Sequence, residues 1–551
     1  MNLKKYLAFG VIALGLGMTS CVGDLDLQPN DPNLVNPDND PDFKINSLMM
    51  CYTGIACSGY AGSGSSYIPD MDAGASAYQR LIYTLNEFPA DEIIWIWNSD
   101  QGIPEMTSST WDPSNPVVLG AYQRIMGHIA ICNQYLKNVM EDTDAEAIQM
   151  KAEARTLRAY SYYNMIDLFG QTSFIDENAE SGAAPVQISR QEAFDWLEKE
   201  LKDIVDNKLI SEKPIYGRVG LDGAEGLLAR LYLNAEVYTG TPRWKDCADR
   251  CENIIKRHSG GFNNSGLVEH YLYVFSNGSK NYMPGGAGTN EILFGIAFDS
   301  QMTQSYGGAM LPIAGCLVDD SNSPYMANKL RFGTNSGWGC TKARLQMAER
   351  FYGQTDYDER DDFWAKGEHS DTGEMYTDDF KEFGDWKAGG GNVPIKFTCL
   401  TPSAANDGSF EGVTSTPDFP SVDMPILRLA DIYLMYAECW AHDKSSASRD
   451  NAVKYLDFVR KRAGVQGTIT DMDLTIQSLM DERSRELYHE GLRRSDLVRN
   501  NMFAGPSQTT WQFKGSINNP EGGRIDRKYN LFPIPNAVIA AQPEFKQNPG
   551  Y

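Results

Sequence analysis

The sequence predicts a mainly α protein: a tetratricopeptide-like helical-repeat scaffold carrying a loop-rich inserted subdomain. Three observations predict it. Apolar residues recur at helical spacing over long segments of both ends of the chain. Helix–turn–helix units with small and aromatic knobs appear there, at roughly the 34-residue tetratricopeptide length. Between them, residues 258–420 are rich in Gly, Asn, Ser and aromatics and lack a long amphipathic pattern.

The first residues read as an address. Lys4 and Lys5 precede the apolar run Tyr6 to Met18, which is too short to span a bilayer. It ends at Met18-Thr19-Ser20-Cys21, small residues leading into a cysteine, which resembles a bacterial lipobox and implies a lipoprotein signal peptide over 1–20 with lipidation at Cys21. A plain secretory signal with an incidental cysteine is the other reading. Residues 21–45 follow as a Pro/Asn/Asp-rich tether. No later stretch supplies about 20 uncharged apolar residues, so lipid is expected to do the anchoring.

Residues 46–257 read as the N-terminal helical scaffold, with an aromatic segment early in it. Ile125, Ile129, Cys132, Leu136 and Val139 form one stripe over 121–139, and Ala154, Leu157, Met165 and Leu168 another over 150–169. Phe194, Leu197, Leu201 and Ile204 repeat the pattern. The segment 222–257 reads as two helices separated at Tyr238-Thr239-Gly240-Thr241-Pro242, where Gly and Pro stop the first. Residues 258–420 form the inserted loop-rich subdomain, with strand-like pieces at Ile292–Phe298 and Pro394–Phe397 and the run Gly389-Gly390-Gly391. Loops on a rigid scaffold are a common place for a binding surface. Residues 421–551 return to helix: Ile426–Ala441, Asp450–Ala463 and one long helix from Leu474 to Arg499 are expected.

Composition excludes several functions. With 73 acidic against 49 basic residues the formal charge is −24, the wrong sign for gripping nucleic acid or for electrostatic attachment to anionic lipid. Without Cys21, nine cysteines remain, too sparse for a disulfide scaffold. Cys247 and Cys251 lie four apart, which is no CxxC zinc pattern, and the cysteines read as small buried hydrophobes. Six scattered histidines offer no metal motif, and no cofactor is expected. The 61 aromatics (28 Tyr, 23 Phe, 10 Trp) beside that acidity suit neutral polar ligands such as sugars. In Ile93-Ile-Trp-Ile-Trp97 an extended backbone puts Trp95 and Trp97 on one face, about 7 Å apart, and Ile94 and Ile96 on the other. Two indole planes at that spacing suit stacking on sugar rings, while two core tryptophans are the alternative.

The C-terminal run Asp481-Glu-Arg-Ser-Arg-Glu-Leu-Tyr-His-Glu-Gly-Leu-Arg-Arg-Ser-Asp-Leu-Val-Arg499 resembles the ERxxELxxEGxRRxDLxR signature of the SusD-like (RagB/SusD) outer-membrane lipoproteins. Pro425 to Glu438, Pro533-Ile-Pro535, Gln547-Asn-Pro-Gly-Tyr551 and Lys151 to Gly170 are similar to the same family, so the resemblance runs the length of the chain. The Glu and Arg residues of 482–499 read as structural ion-pair rows at i, i+4 spacing along a helix that locks the scaffold halves.

The aromatic segment is most similar to the family's starch-binding member, and that resemblance implies a site. Trp95, Trp97, Tyr306 and Trp338 match its aromatic arc, and Asp72 and Arg80 match polar residues that contact sugar hydroxyls. Asp100 stands where the family member has asparagine, with Asn98 near enough to substitute. The stretch between Tyr306 and Trp338 is longer and includes Asp319-Asp-Ser-Asn-Ser-Pro-Tyr325. Some relatives hold a structural calcium with acidic residues before Pro425; here Asp423 remains and Ser421 stands where a second carboxylate would sit.

The resemblance implies a non-catalytic, surface-exposed, lipid-anchored outer-membrane protein. It would capture starch or malto-oligosaccharides and pass them to a SusC-like TonB-dependent transporter. A fructan or host glycan is the nearest alternative ligand. A glycoside hydrolase would need two carboxylates flanking the scissile bond. The adjacent acids Asp91-Glu92, Asp319-Asp320 and Asp361-Asp362 are chance-level pairs in so acidic a chain. A peptide-binding repeat module is a third possibility.

Overall fold

The computed structural model describes residues 42–180, 182–258, 260, 262–317, 332–334, 337–352, 358–361, 393–402 and 419–551. The signal peptide, Cys21, nearly all of the 21–45 tether, the Asp319–Tyr325 insertion and the 389–391 glycines lie outside them. The described chain is mostly helix with six short strands in three two-stranded sheets.

The N-terminal half is built on helices Phe43–Ala56, Tyr78–Glu87, Pro116–Asn138, Ala145–Phe169, Arg190–Asp206, Leu221–Leu233 and Trp244–Arg257. Their starts follow from sequence. Asn115 caps the first N–H groups of Pro116–Asn138, and Ser189 forms a capping box with Glu192. Sequential helices pack as pairs, Pro116–Asn138 on Ala145–Phe169 and Leu221–Leu233 on Trp244–Arg257, which is the repeat architecture the periodicity predicts. All nine cysteines other than Cys21 are free thiols, eight of them buried.

Two C-terminal helices differ from the sequence reading. Met424–Arg428 is a strand, β6, rather than the start of a helix; it pairs antiparallel with β4, Ile292–Ile296. Pro425 lacks the N–H a helix interior needs, and β-pairing accommodates it beside a bulge. The helix proper is Leu429–His442, packed on Arg449–Arg462.

The expected long helix is likewise two, Ile476–Leu487 and Arg493–Arg499. Between them His489 and Gly491 adopt φ of 63° and 74°, the left-handed region in which glycine carries no Cβ penalty. The exposed ends are occupied. The Glu486 carbonyl accepts from Tyr271 Oη (2.8 Å), the Tyr488 carbonyl from Lys396 Nζ (2.6 Å), and Gly491 N–H donates to Glu87 Oε1 (2.7 Å).

The motif charges do not form i, i+4 rows. Glu486 is fully buried and meets Arg428 at 3.0 Å and Arg360 at 3.1 Å, with Arg462 also in contact. Glu291 shares Arg428 (2.8 Å) and Arg462 (3.2 Å), and Glu490 takes Arg428 and Lys396, both at 2.6 Å. Arg483 bridges Asp431 and Asp496 at 2.8 Å each. Arg493 reaches Asp91 at 2.6 Å and Arg494 reaches Asp167 at 2.8 Å, joining residues more than three hundred positions apart. The signature is a bolt through the centre of the fold.

Burial alone opposes ionisation of Glu486, but Arg462, Arg428, Arg360 and Lys396 outweigh it and hold its carboxyl at about 2. Because this lies below the ordinary glutamate value of about 4.3, Glu486 contributes stability above that pH and loses it as pH falls toward 2. Urea denaturation should therefore show a midpoint that declines between about pH 5 and pH 2. Glu486→Gln, which removes the carboxylate that three buried arginines share and leaves them only Glu291, Glu490, Asp358 and Glu482, should cost about 3 kcal/mol at pH 7 and weaken that acid dependence.

Candidate functional site

Strand β1, Ile93–Trp95, pairs antiparallel with β5, Thr341–Ala343, setting Trp95 opposite Thr341. The pairing continues through Ile96 N–H to the Cys340 carbonyl (2.8 Å). Trp338, three residues before β5, is thereby brought beside Trp95 and Trp97. Tyr306 arrives by another route. A Cβ on Gly307 would lie 2.2 Å from Ala77 Cβ, and one on Gly74 would lie 2.8 Å from Tyr306 Cβ. Two glycines thus let the loop ahead of helix Tyr78–Glu87 interlock with the Tyr306 loop.

The floor is fixed by Arg344, fully buried directly after β5. Its guanidinium donates to the carbonyls of Phe88 (2.8 Å), Thr107 (2.9 Å) and Gln512. These close helix Tyr78–Glu87, helix Ile103–Ser108 and the 512 loop around one cation, whose desolvation pushes it down to about 9. Ile94 and Ile96 pack on Phe513, with Trp97 against the same cluster.

Above this floor opens a cavity of about 630 Å³. Seven of the eight glycan-site residues expected from sequence line it: Asp72, Arg80, Trp95, Trp97, Asp100, Tyr306 and Trp338. Asn98 is exposed and outside the lining. Asp70, Met71, Phe88 and Gln101 also line it and were not anticipated. Gln101 closes the same sequence segment as the tryptophans and could have been found there; Met71 and Phe88 carry no signal of their own.

The tryptophans differ from the parallel platforms that strand geometry suggested. Only Ile93–Trp95 is strand, and the indoles meet edge to face at 81°, with centroids 5.8 Å apart. Trp95 is 1% exposed. Its Nε1–H donates to Asp100 Oδ2 at 3.0 Å, and the Arg80 guanidinium covers its ring at 5.0 Å from the centroid. Arg80 also lies 5.7 Å from the Trp338 ring, which tilts against Tyr306 at 6.0 Å. The wall is therefore a continuous stack: Trp97, Trp95, Arg80, Trp338, Tyr306. Arg80 forms no hydrogen bond or ion pair with a described residue, so its donors face the cavity with only cation–π contacts to hold it. Desolvation lowers its pKa, opposed by Asp72 and Asp100. Burial raises that of Asp100, opposed by the Trp95 N–H and Arg80.

Other sequence candidates lie elsewhere. Asp91 and Glu92 are buried beneath the site. Asp91 is bridged by Arg350 and Arg493, and Glu92 accepts from Ser484 at 2.6 Å. Asp319, Asp320 and Asp362 fall outside the described residues. Asp423 does not fit a calcium ligand. Its oxygens accept from Tyr216 Oη (2.8 Å), Phe298 N–H (3.1 Å) and Ser279 Oγ (3.1 Å), while Ser421 Oγ accepts from Ser300 N–H. Burial pushes the Asp423 carboxyl up to about 6. Among the described residues its oxygens are taken by neutral donors, which is not the set of several oxygen ligands that calcium needs.

Comparison with known proteins agrees with this architecture. Residues 402–551 match the family model described as the SusD family. The chain is 30% identical, over all of its length and 99% of the relative's, to the starch-binding protein SusD of Bacteroides thetaiotaomicron. It is 25% identical to a SusD-like protein of Bacteroides ovatus, over 76% of this chain and 71% of that one. Among solved structures, surface glycan-binding protein A from Bacteroides thetaiotaomicron superimposes with a TM-score of 0.66 at 18% identity, covering 93% of this chain and 99% of that one. The same protein in complex with laminarihexaose gives the same score over 92% and 99%.

The unequal exposure of the indoles is directly measurable. Under limiting N-bromosuccinimide, Trp97 and Trp338 should oxidise before Trp95. The peptide holding Trp95 and Trp97 should gain one oxygen, located on Trp97 by fragmentation mass spectrometry.

Proposed function

The chain belongs to the SusD family, and from that premise we propose that it is a non-catalytic cell-surface lipoprotein. On this reading it captures starch or malto-oligosaccharides and delivers them to a SusC-like TonB-dependent transporter. The observation that carries the reading is the assembly of Asp72, Arg80, Trp95, Trp97, Asp100, Tyr306 and Trp338 around one cavity from four separate parts of the chain. The chain as a whole is 30% identical to a relative named as starch-binding.

The chemistry supports a polysaccharide. Trp97, Trp338 and Tyr306 offer apolar ring surface for the C–H faces of sugars. Arg80 supplies hydrogen-bond donors that no described residue accepts, and Asp72 and Asp100 supply acceptors. Trp95 supports the wall from behind. Affinity for one segment is modest in such an open site, and repeated engagement along a polymer raises it through avidity. Anchoring through Cys21 belongs to the same proposal, since the leader ends in the cysteine a lipoprotein requires and no described helix is long and apolar enough to cross a membrane. The Asp100 departure and the extended 306–338 stretch favour, as a second reading, the same role for another glycan.

Electrophoresis in gels containing amylopectin should retard the protein, and Trp97→Ala/Trp338→Ala should restore free mobility. Equal mobility of both proteins would direct the search to an array of fructans and host glycans. Incubation with starch should release no new reducing ends; sustained release would replace the binding role with hydrolysis. Expressed with its leader, the protein should partition into the membrane fraction and Cys21→Ser into the soluble one.

A further inference from the structure

The cavity is more acidic than its aromatic lining suggests. Asp70, Asp72 and Asp100 line it, and Arg80 is the one cation among its described lining residues. Arg80 is held between the Trp95 and Trp338 rings, so its position is set by the protein. A Cβ at Gly74 would lie 2.9 Å from Arg80 Nη1 and 3.3 Å from Asp72 Oδ1, which shows how tightly that carboxylate and guanidinium share the rim.

Asp100 is fixed just as firmly. The buried Trp95 indole donates to Oδ2 at 3.0 Å, and Trp95 cannot rotate beneath Arg80. The other oxygen, Oδ1, is claimed by no described residue and is left to accept a hydrogen bond at the cavity wall. An amide at this position would both donate and accept; a carboxylate only accepts. It binds a sugar hydroxyl through a charge-assisted bond and repels a ligand carboxylate or sulfate.

Resting on the reading of this cavity as a glycan site, we propose that Asp100 is a specificity-determining residue. With Asp72 it restricts the cavity to uncharged sugars and excludes glycans bearing uronate or sulfate groups.

The test is calorimetric titration at pH 7.5 and low salt with matched pairs: an oligosaccharide and its C6-carboxylated form, in both an α-glucan and a β-glucan series. The wild type should bind the neutral member about tenfold more tightly than the carboxylated one, the scale of one unit-charge repulsion across a partly hydrated cavity. Asp100→Asn should shrink that ratio to about threefold or less. Asp72→Asn should narrow it by a smaller factor, and it carries the test if the first variant does not fold. Raising salt to 0.5 M should compress the wild-type ratio in the same direction. Equal binding of both members by the wild type, or a ratio that neither substitution moves, overturns the proposal while leaving the glycan site standing. Absence of binding to every neutral member defeats the glycan reading itself, and the selectivity with it.

Discussion

One buried carboxylate organises this protein. Glu486 lies where three arginines from three separate segments converge, Arg360, Arg428 and Arg462. An uncompensated guanidinium in that interior would be prohibitively expensive, and so would the carboxylate alone. Each is tolerable only when the others are in place, so the arrangement specifies one packing of the helices more than it adds to stability. The surrounding pairs extend the same logic outward, through Glu291, Glu490, Asp431 and Asp496, until Arg493 and Arg494 reach Asp91 and Asp167 in the N-terminal half.

This explains what was legible in the sequence. Helices with a clear stripe and a cap, such as Arg190–Asp206 behind Ser189, were readable because local chemistry decides them. The Ile476–Leu487 helix was also visible, but its end was not. The apolar periodicity runs on through residues 488–492, and what breaks the helix is tertiary: Lys396 and Tyr271 claim its last carbonyls. The charges of the motif were recognised as structural, yet their spacing pointed to neighbours on the same helix. Glu482–Arg485 and Asp496–Arg499 do pair within one helix at i, i+3, but most partners sit on other elements, information that a one-dimensional pattern does not contain.

The site shows the same division. Residue identities were available through resemblance, and seven of the eight candidates line one cavity. Their geometry was not. A strand of five residues would have laid both indoles side by side; the strand stops at Trp95, and Trp97 turns edge-on. Trp95 consequently acts as the frame on which Arg80 and Asp100 are mounted. That role depends on a loop hydrogen bond and a cation over a ring, neither of which spacing announces.

The interlock of Ile94, Ile96 and Trp97 with Phe513, and of β1 with β5, has a temporal meaning. A ribosome delivers the tryptophan segment more than four hundred residues before the phenylalanine that backs it. Contacts so distant along the chain close late. The Arg493–Asp91 bridge imposes the same delay on the helices below. A nascent chain therefore holds no finished pocket during most of its synthesis, and a molecule truncated before Phe513 would lack the wall's support however intact its aromatic residues. Possession of a working cavity certifies that synthesis has passed Phe513.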